Sequence, residues 1–356
     1  MTQPLLKIDD LHVHFHTEEG TVEALDGVNL EIYEDEVLGI IGESGCGKSV
    51  TALSTIGLLQ SPPAEVVSGS IEYAGQDILR LSQRELNNIR GNDVTMVYQD
   101  PMTSLNPVLT IGKQVTEPLR THSDVSASAA RQQAIEMLEA CGLADADRIM
   151  DQYPNELSGG MRQRVVIAMA LITEPKLLLA DEPTTALDVT IQAQIMDLLK
   201  ELQEEFGMSI LFISHDLGVI SEIADRIAVM YAGNIVENCT MRELFDEPLH
   251  PYTRALSKSI PSLSDDPDRL PVIEGVVPDL RNPPSGCRFA SRCPQYIGDV
   301  CDAVDPALAA ADGSEKHEVA CHLYTDIVDE TPPADWEHLS APSTGASSRT
   351  ESGESQ

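Results

Sequence analysis

The sequence predicts an α/β protein in which a parallel sheet carries a helical insertion and a small cysteine-containing module follows. Two observations lead to this prediction. An apolar run at residues 37–41 enters a glycine-rich turn and then a helical pattern, and strand and helix patterns alternate again from 177 to 231. A mainly helical region, about 109–170, separates these two parts. Alternation of this kind is typical of a parallel sheet covered by helices.

The individual elements follow from hydrophobic periodicity. Residues 4–40 alternate apolar and polar positions, which predicts half-buried strands, whereas the continuous apolar run at 37–41 predicts a strand buried on both faces. The remaining elements are, in chain order, a helix at 49–59, a strand at 69–73, a polar helix at 82–89, an Ala-rich helical stretch at 126–141, a strand at 177–180, a helix at 191–206, a strand at 209–213, a helix at 218–224 and a strand at 227–231.

The composition changes towards the C-terminal end. Pro, Asp and Ser dominate residues 261–284, which indicates a connector, and the cysteine-containing module follows at about 286–327. The last residues are rich in Ser, Thr, Glu and Pro and too poor in apolar side chains to order themselves. The predicted organisation is a main domain at 1–260 with a helical subdomain at about 101–170, an extension at 261–327 and a disordered tail at 328–356.

The net charge is unusual, although the composition is otherwise that of a globular protein. Of 356 residues, 58 are acidic and 23 basic, which gives a net charge of −35. Nucleic-acid binding depends on Lys and Arg releasing counterions from phosphates, so this charge disfavours general duplex binding. The acidity resembles that of proteins from organisms that keep molar salt in the cytoplasm, where charges are screened over about 3 Å. The alternative is an acidic protein that works at ordinary salt.

No targeting or membrane segment is expected. The first ten residues lack a basic region followed by an apolar stretch, so no secretory signal is predicted. No apolar run approaches the ~20 residues that span a bilayer. We therefore expect a soluble chain that can still dock on a membrane-embedded partner.

A phosphate-binding loop is predicted between the buried strand at 37–41 and the following helix. In the pattern G-x-x-x-x-G-K-[ST], backbone N–H groups of the turn surround phosphates and the helix N-terminus adds positive potential. Lys48 would reach the terminal phosphates, Ser49 would hold Mg²⁺ through its hydroxyl, and Cys46 would only fill space. The residues of this loop are Gly42, Glu43, Ser44, Gly45, Cys46, Gly47, Lys48 and Ser49.

Two carboxylates follow the apolar strand predicted at 177–180. The strand would deliver Asp181 beside the magnesium ion, and Glu182 can face the γ-phosphate and polarise an attacking water. Strands often end in acidic residues, so this pair indicates a nucleotide site only in combination with the glycine-rich loop.

A second phosphate-binding helix start is predicted at Ser158, Gly159 and Gly160. These residues open an apolar helix within the segment LSGGMRQR. A helix N-terminus presents free N–H groups and the positive end of a dipole to an anion. One nucleotide has no use for two such helix ends within a subunit.

LSGGMRQR is similar to the signature motif of ATP-binding-cassette (ABC) ATPases, and the three motifs stand in that family's order. The resemblance implies a P-loop ABC-type nucleotide-binding domain with a parallel-sheet core, an antiparallel β subdomain and a helical subdomain. It implies an ATPase that uses ATP and Mg²⁺. It also implies that the signature of one subunit closes over the nucleotide of a second ABC ATPase subunit.

The resemblance assigns roles to further positions. Gln99 matches the glutamine that senses Mg²⁺ and the attacking water and couples to the membrane subunit, and His215 matches the histidine that contacts the γ-phosphate. The implied catalytic residues are thus Glu182, His215 and Gln99. Phe15 is the candidate for the aromatic residue that stacks on adenine; alternatively it is a plain core residue.

Finer features resemble the ATPase subunits of oligopeptide and dipeptide importers. They are residues 99–107, residues 250–253 and the cysteine module, and the match runs from about 5 to 325. With Met161 and Met169, the signature helix resembles that of the first of the two paralogous ATPases that such importers carry. Relatives also import nickel, glutathione or oligosaccharides, so the sequence does not choose the solute.

This finer resemblance implies ATP-driven peptide import at the cytoplasmic face of the cell membrane. The partners would be two integral membrane permease subunits, a second cassette subunit that is either paralogous or identical, and indirectly a solute-binding protein. The alternative is a soluble ABC-type ATPase in nucleic-acid maintenance or ribosome function. Such ATPases typically have two cassettes, a long coiled coil or a metal module inside the cassette, whereas this sequence predicts one cassette with a terminal module. We therefore expect no nucleic-acid partner.

The four clustered cysteines are candidate metal ligands. They lack a C-x₂-C pair, which argues against an ordinary zinc ribbon, and widely spaced thiolates favour a [4Fe–4S] cluster. The resemblance also points to iron–sulfur binding; Zn²⁺ and metal-free structural cysteines are the alternatives. Arg288 and Arg292 either compensate thiolate charge or are surface residues. The four cysteines are Cys287, Cys293, Cys301 and Cys321.

Overall fold

The strands form two sheets, one antiparallel and one mainly parallel. The computed structural model describes residues 3–98, 104–185, 187–258, 273–311 and 317–324. The strands are β1 (Leu6–Thr17), β2 (Gly20–Ile32), β3 (Val37–Ile41), β4 (Ala64–Tyr73), β5 (Gln76–Asp77), β6 (Val94–Val97), β7 (Leu177–Asp181), β8 (Ser209–Ser214), β9 (Arg226–Tyr231), β10 (Asn234–Thr240), β11 (Ala309–Ala310) and β12 (Glu318–Val319).

Along the chain, most of the α-helices connect strands of the two sheets. They are α1 (Lys48–Thr55), α2 (Gln83–Ile89), α3 (Ile111–Val115), α4 (Glu117–His122), α5 (Ala127–Ala140), α6 (Ala146–Ile149), α7 (Gly159–Leu171), α8 (Val189–Phe206), α9 (Leu217–Ile220), α10 (Met241–Asp246), α11 (Pro251–Lys258) and α12 (Asp299–Ala303). In the described part of the chain, no helix combines the length and apolarity needed to cross a membrane.

The sheet order confirms the predicted α/β class. One sheet has the antiparallel order β2-β1-β4-β5, and the other has the order β11-β12-β10-β9-β3-β8-β7-β6. Neighbours from β9 to β6 in this order are parallel, and β10, β12 and β11 add an antiparallel margin. Helices α3 to α7 form the insertion between β6 and β7.

The main sheet is buried on both faces. Successive residues of β3 point to opposite sides, so that Val37 and Ile41 join the core beneath the helical insertion, whereas Leu38 and Ile40 join the core beneath the antiparallel sheet. This alternation is the geometry of an extended strand. It explains why β3 reads as a continuous apolar run.

Most predicted elements are present with altered ends. The helix predicted at 49–59 stops at Thr55, because Gly57 takes a left-handed conformation with φ of 59° that ends helices. The helix predicted at 218–224 is shorter, since α9 ends at Ile220 and a turn leads to Ala224. Strands β10, β11 and β12 were not predicted, because they are short or lie outside the regular alternation.

The extension joins the main sheet through a buried ion pair. Strand β12 pairs with β10, and next to this pairing His317 Nε2 lies 2.8 Å from Glu237 Oε1. Glu237 is fully buried and also accepts the backbone N–H groups of Leu249 and His250 at 2.8 and 2.7 Å. Its side chain therefore connects three segments, β10, the start of α11 and the end of the extension.

Both partners favour their charged forms. Burial alone would lower the pKa of His317, but the hydrogen bond and the charge of Glu237 together raise it. Burial alone would raise the pKa of Glu237, but its hydrogen bonds to His317 and to backbone N–H groups together lower it. The pair is therefore an ionic contact inside the protein.

We expect His317→Ala to lower the free energy of unfolding by about 3 kcal/mol at pH 6, because it leaves a buried carboxylate without its partner. A raised histidine pKa stabilises the folded state fully below the usual value near 6.5 and loses this effect as the pH rises through the raised pKa. The difference from wild type should therefore shrink towards alkaline pH. Urea unfolding of both proteins between pH 6 and 9 measures this difference in the free energy of unfolding. A difference that does not change with pH would contradict the ionic assignment.

Candidate active site

The glycines of the phosphate-binding loop are required by close packing and by unusual backbone angles. The loop, residues 42–49, joins β3 to α1. A Cβ atom at Gly42 would lie 2.1 Å from the carbonyl oxygen of Met230, so only glycine fits there. Gly47, with φ of 110°, immediately precedes the first residue of α1. The loop therefore curls tightly against β9, as the predicted phosphate cradle requires.

Lys48 lies inside this loop. Its ammonium group donates to the carbonyl oxygens of Gly42 at 2.8 Å and Glu43 at 3.1 Å. Cys46 is buried beneath it, and burial raises the pKa of this thiol. The cysteine is therefore a neutral space-filling residue, whereas the lysine supplies positive charge within the turn.

The fold brings together two predicted magnesium ligands, Asp181 at the end of β7 and Ser49 at the start of α1. The Ser49 hydroxyl hydrogen-bonds to the Asp181 carboxylate, and the Oδ1 atom of Asp181 is buried without a hydrogen-bond partner. Burial raises the pKa of Asp181, against the effect of the Ser49 bond. Carboxylate and hydroxyl oxygens are the ligands that Mg²⁺ prefers, so the site fits this ion. Gln99, the third predicted ligand, lies outside the described residues.

Glu182 and His215 face each other across neighbouring strands. Glu182 Oε1 lies 3.2 Å from His215 Nδ1, and Glu182 Oε2 accepts the Thr185 hydroxyl at 2.9 Å. Glu182 has φ of 48°, a left-handed conformation that is rare for this residue type, and its N–H is held by Ile213 O at 2.9 Å. Strained backbone of this kind is concentrated at functional sites. The geometry thus aims one carboxylate and one imidazole at the same space.

The predicted signature opens α7 as a capped and accessible helix start. Ser158 is the N-cap residue, and its hydroxyl accepts the N–H of Met161 at 3.3 Å. Ser158 and Gly159 are exposed, so the first turn of the helix is accessible to solvent.

Sequence reasoning did not single out Gln163, which is fully buried and donates to Pro183 O at 2.5 Å. This bond ties the signature helix to the loop that follows Glu182.

Phe15 is half-buried and packs against the core of the antiparallel sheet. It lies in β1, opposite Val22 of β2 and Ala64 of β4. This position agrees with the core alternative and leaves part of the ring accessible. Stacking on adenine stays a prediction.

The four cysteines of the extension line one small cavity, together with Phe289 and His250. Burial raises the pKa of all four thiols, to about 11 for Cys287 and about 12 for Cys321. Three of the sulfurs accept a backbone N–H from the residue two positions later in the chain, and these hydrogen bonds lower the thiol pKa against the effect of burial. The donors are Phe289 for Cys287, Gln295 for Cys293 and Leu323 for Cys321.

Both sequence interpretations of Arg288 and Arg292 were wrong. Their side chains are only 4% exposed, so they are not surface residues. They pair with carboxylates of the main domain rather than with thiolates, Arg288 with Asp26 and Arg292 with Glu43 of the phosphate-binding loop. The partners are more than 240 positions away in sequence, so no local signal reveals them.

Comparison with known families gives two matches on this chain. Residues 25–185 match the family described as "ABC transporter", and residues 236–301 match "Oligopeptide/dipeptide transporter, C-terminal region". The chain is 50% identical over 321 residues to the dipeptide transport ATP-binding protein DppD of Bacillus subtilis, which covers 90% of this chain and 95% of that protein. It is 49% identical over 322 residues to the oligopeptide transport ATP-binding protein AppD of the same organism, with 90% and 97% covered.

Solved structures match about two thirds of the chain. The dimeric ATP-binding cassette MJ0796, in a post-hydrolysis state bound to ADP and Pi, is 33% identical with a TM-score of 0.60. The match covers 67% of this chain and 99% of that structure. The cbiO1 protein of Clostridium perfringens is 29% identical with a TM-score of 0.59 and covers 68% of this chain and 91% of that one.

We expect Glu182→Gln to retain ATP binding but to slow ATP hydrolysis by at least about 100-fold, because the amide cannot accept a proton from water. Glu204→Gln, on the exposed face of α8, serves as the matched control and should hydrolyse ATP like wild type. Equilibrium binding of a fluorescent ATP analogue and phosphate release measure the two effects separately. Wild-type turnover in Glu182→Gln would exclude the assigned role.

Proposed function

The chain belongs to the ABC transporter family of ATP-hydrolysing subunits and carries the C-terminal region of its oligopeptide/dipeptide branch, and we propose that it drives peptide import. The observation that carries this proposal is the extent of the likeness. It spans 95% of a dipeptide transport subunit, including the extension as well as the cassette. An ATPase for nucleic-acid work would share only the cassette.

Each residue of the active site has its own role in ATP hydrolysis. The backbone N–H groups of the loop and the ammonium of Lys48 bind the phosphates, and Ser49 and Asp181 hold Mg²⁺, which when bound neutralises phosphate charge. Glu182 accepts a proton from the attacking water, and His215, 3.2 Å from it, orients this carboxylate and contacts the γ-phosphate. Gln99 would complete the set from the segment after β6.

The exposed signature supports a second cassette as partner. Ser158 and Gly159 are exposed at the start of α7, and Gly160 beside them is half-buried. We propose that they bind the ATP held by a partner cassette, as expected if two ATP molecules are enclosed between two subunits. MJ0796, the similar cassette, was solved as a dimer, which supports this arrangement. The partner is a second copy of this chain or a paralogous subunit.

A groove beside the segment that leads to Gln99 is the proposed contact with the permease subunits. Its volume is about 610 Å³, and apolar side chains from α7 and from the strand β6 line it. Leu58 and Tyr98 at its margin are 40% and 44% exposed. We propose that the groove receives a cytoplasmic segment of one permease subunit, so that the protein lies at the cytoplasmic face of the membrane.

We expect vesicles that contain this chain, a partner cassette and two permease subunits of a peptide importer to take up dipeptides or oligopeptides when ATP is present. Leu58→Glu should abolish uptake while ATP binding persists, because it charges the proposed groove. Val67→Glu, at a residue that is 50% exposed and lies on the antiparallel sheet, is the control and should transport normally. ATP-driven uptake of nickel or an oligosaccharide without peptide uptake would exclude the proposed solute.

We propose that the four cysteines bind a [4Fe–4S] cluster. Among the described residues, one group of three His, Cys, Asp or Glu side chains has all its donor atoms within 4.8 Å of one another, and it consists of Glu237, Cys239 and His317. No three of the four clustered cysteines meet this criterion, so their sulfurs are more widely spaced. A tetrahedral Zn²⁺ site needs sulfur separations of about 3.8 Å, given Zn–S bonds of about 2.3 Å. Wider spacing suits the larger cluster, which when bound would crosslink four segments of the extension.

Protein purified without air should therefore contain iron and inorganic sulfide in equal amounts and little zinc. Cys301→Ala should lose both, whereas Cys239→Ala, a buried cysteine outside the cavity, should keep them. Elemental analysis and the visible absorption spectrum measure the content. Zinc alone, or a folded metal-free extension in the wild type, would refute the cluster.

We further propose that the acidic surface adapts the protein to molar salt. With 58 acidic and 23 basic residues, mutual repulsion destabilises the fold in dilute buffer, and salt screens it. The melting temperature should therefore rise markedly between dilute buffer and molar KCl. Equal stability in both would contradict this proposal and leave the ATPase assignment intact.

A further inference from the structure

An arginine of the extension contacts the phosphate-binding loop directly. The Arg292 guanidinium donates to both carboxylate oxygens of Glu43, with Nη1–Oε2 at 3.0 Å and Nη2–Oε1 at 3.1 Å. Glu43 is the second residue of the loop, and the Arg292 side chain is only 4% exposed. Because the contact is bidentate and largely shielded from water, it is stronger than a surface ion pair.

All five N–H groups of Arg292 have acceptors. Besides the two bonds to Glu43, Nε donates to Glu274 O at 2.9 Å, Nη1 to the Tyr231 hydroxyl at 3.2 Å and Nη2 to Ile273 O at 3.1 Å. The guanidinium also lies over the Tyr231 ring, 5.7 Å from its centre. A planar fork with every donor used has one orientation, so the carboxylate of Glu43 is held in one place.

The backbone of Glu43 is held by a second residue outside the loop. Its N–H donates to the Tyr252 hydroxyl at 3.0 Å, and Tyr252 is fully buried. The rings of Tyr231 and Phe289 lie 4.8 and 5.5 Å from the Tyr252 ring. Phe289 belongs to the cysteine module, so this aromatic cluster supports the loop from the same side as Arg292.

The contact has an electrostatic consequence. Glu43 brings a negative charge into the loop that would bind the phosphates of ATP, and an unpaired carboxylate within this loop would repel them. From the bidentate contact we infer that Arg292 is a positioning residue for ATP, which neutralises Glu43 and holds the loop in its binding conformation. This inference rests on the proposed function, because it requires ATP in this loop.

We expect Arg292→Gln to raise the KM for ATP about tenfold with little change in kcat, because it frees the Glu43 charge near the phosphates. Rising KCl should lower this KM towards the wild-type value, since salt screens the repulsion. Glu43→Gln combined with Arg292→Gln should restore most of the affinity, because no unpaired charge is left. Arg292→Lys should fall between, since lysine keeps the charge but not the bidentate geometry.

Arg288→Gln is the matched control. Arg288 lies in the same module with the same 4% exposure, but it pairs with Asp26 and donates to Ala232 O rather than to the loop. It should lower the melting temperature without changing the KM for ATP. The inference is overturned if Arg292→Gln binds ATP like wild type, if Arg288→Gln weakens binding equally, or if the double variant binds no better than Arg292→Gln. Failure of the wild type itself to bind ATP would instead overturn the proposed function.

Discussion

Parallel pairing of β3, β8 and β7 is the constraint on which the active site depends. In this register Ile41 stands opposite Ser214, and Asp181 stands opposite Ile213. Since the carboxyl ends of parallel strands meet at one edge of the sheet, the glycine-rich loop, the two carboxylates and the histidine all begin there. Backbone hydrogen bonds between these strands thus bring the phosphate-binding, magnesium-binding and water-activating groups to one edge of the sheet.

The groups that sequence reasoning found are those with local signals. Lys48 and Ser49 follow an apolar strand and a glycine-rich turn, and Asp181 ends another apolar strand, with Glu182 directly after it. The fold brings Ser49 to Asp181 and Glu182 to His215. The contacts it missed join distant segments. Arg292 and Glu43 are 249 positions apart, and nothing around either residue marks the other as its partner. Helix ends were also inaccurate, because they depend on single residues such as Gly57 rather than on periodicity.

The extension is part of the packing of the cassette, although its composition sets it apart. It contributes β11 and β12 to the main sheet, an aromatic ring behind the phosphate-binding loop and two buried arginines that pair with cassette carboxylates. A boundary near residue 260 therefore marks a change in composition more than a change in structure. The net charge of the whole chain has little influence on the active site, because fixed N–H groups, Lys48 and Arg292 set the electrostatic potential there.

The pairing of β12 with β10 has a consequence for behaviour at high concentration. Without it, β10 would be the outermost strand, and Glu237 and Asn238 would offer unpaired backbone groups to strands of other molecules. With it, the sheet ends in β11, which is two residues long. An edge so short is a poor template for intermolecular pairing. The extension thus covers part of this sheet edge, independently of anything it does for ATP.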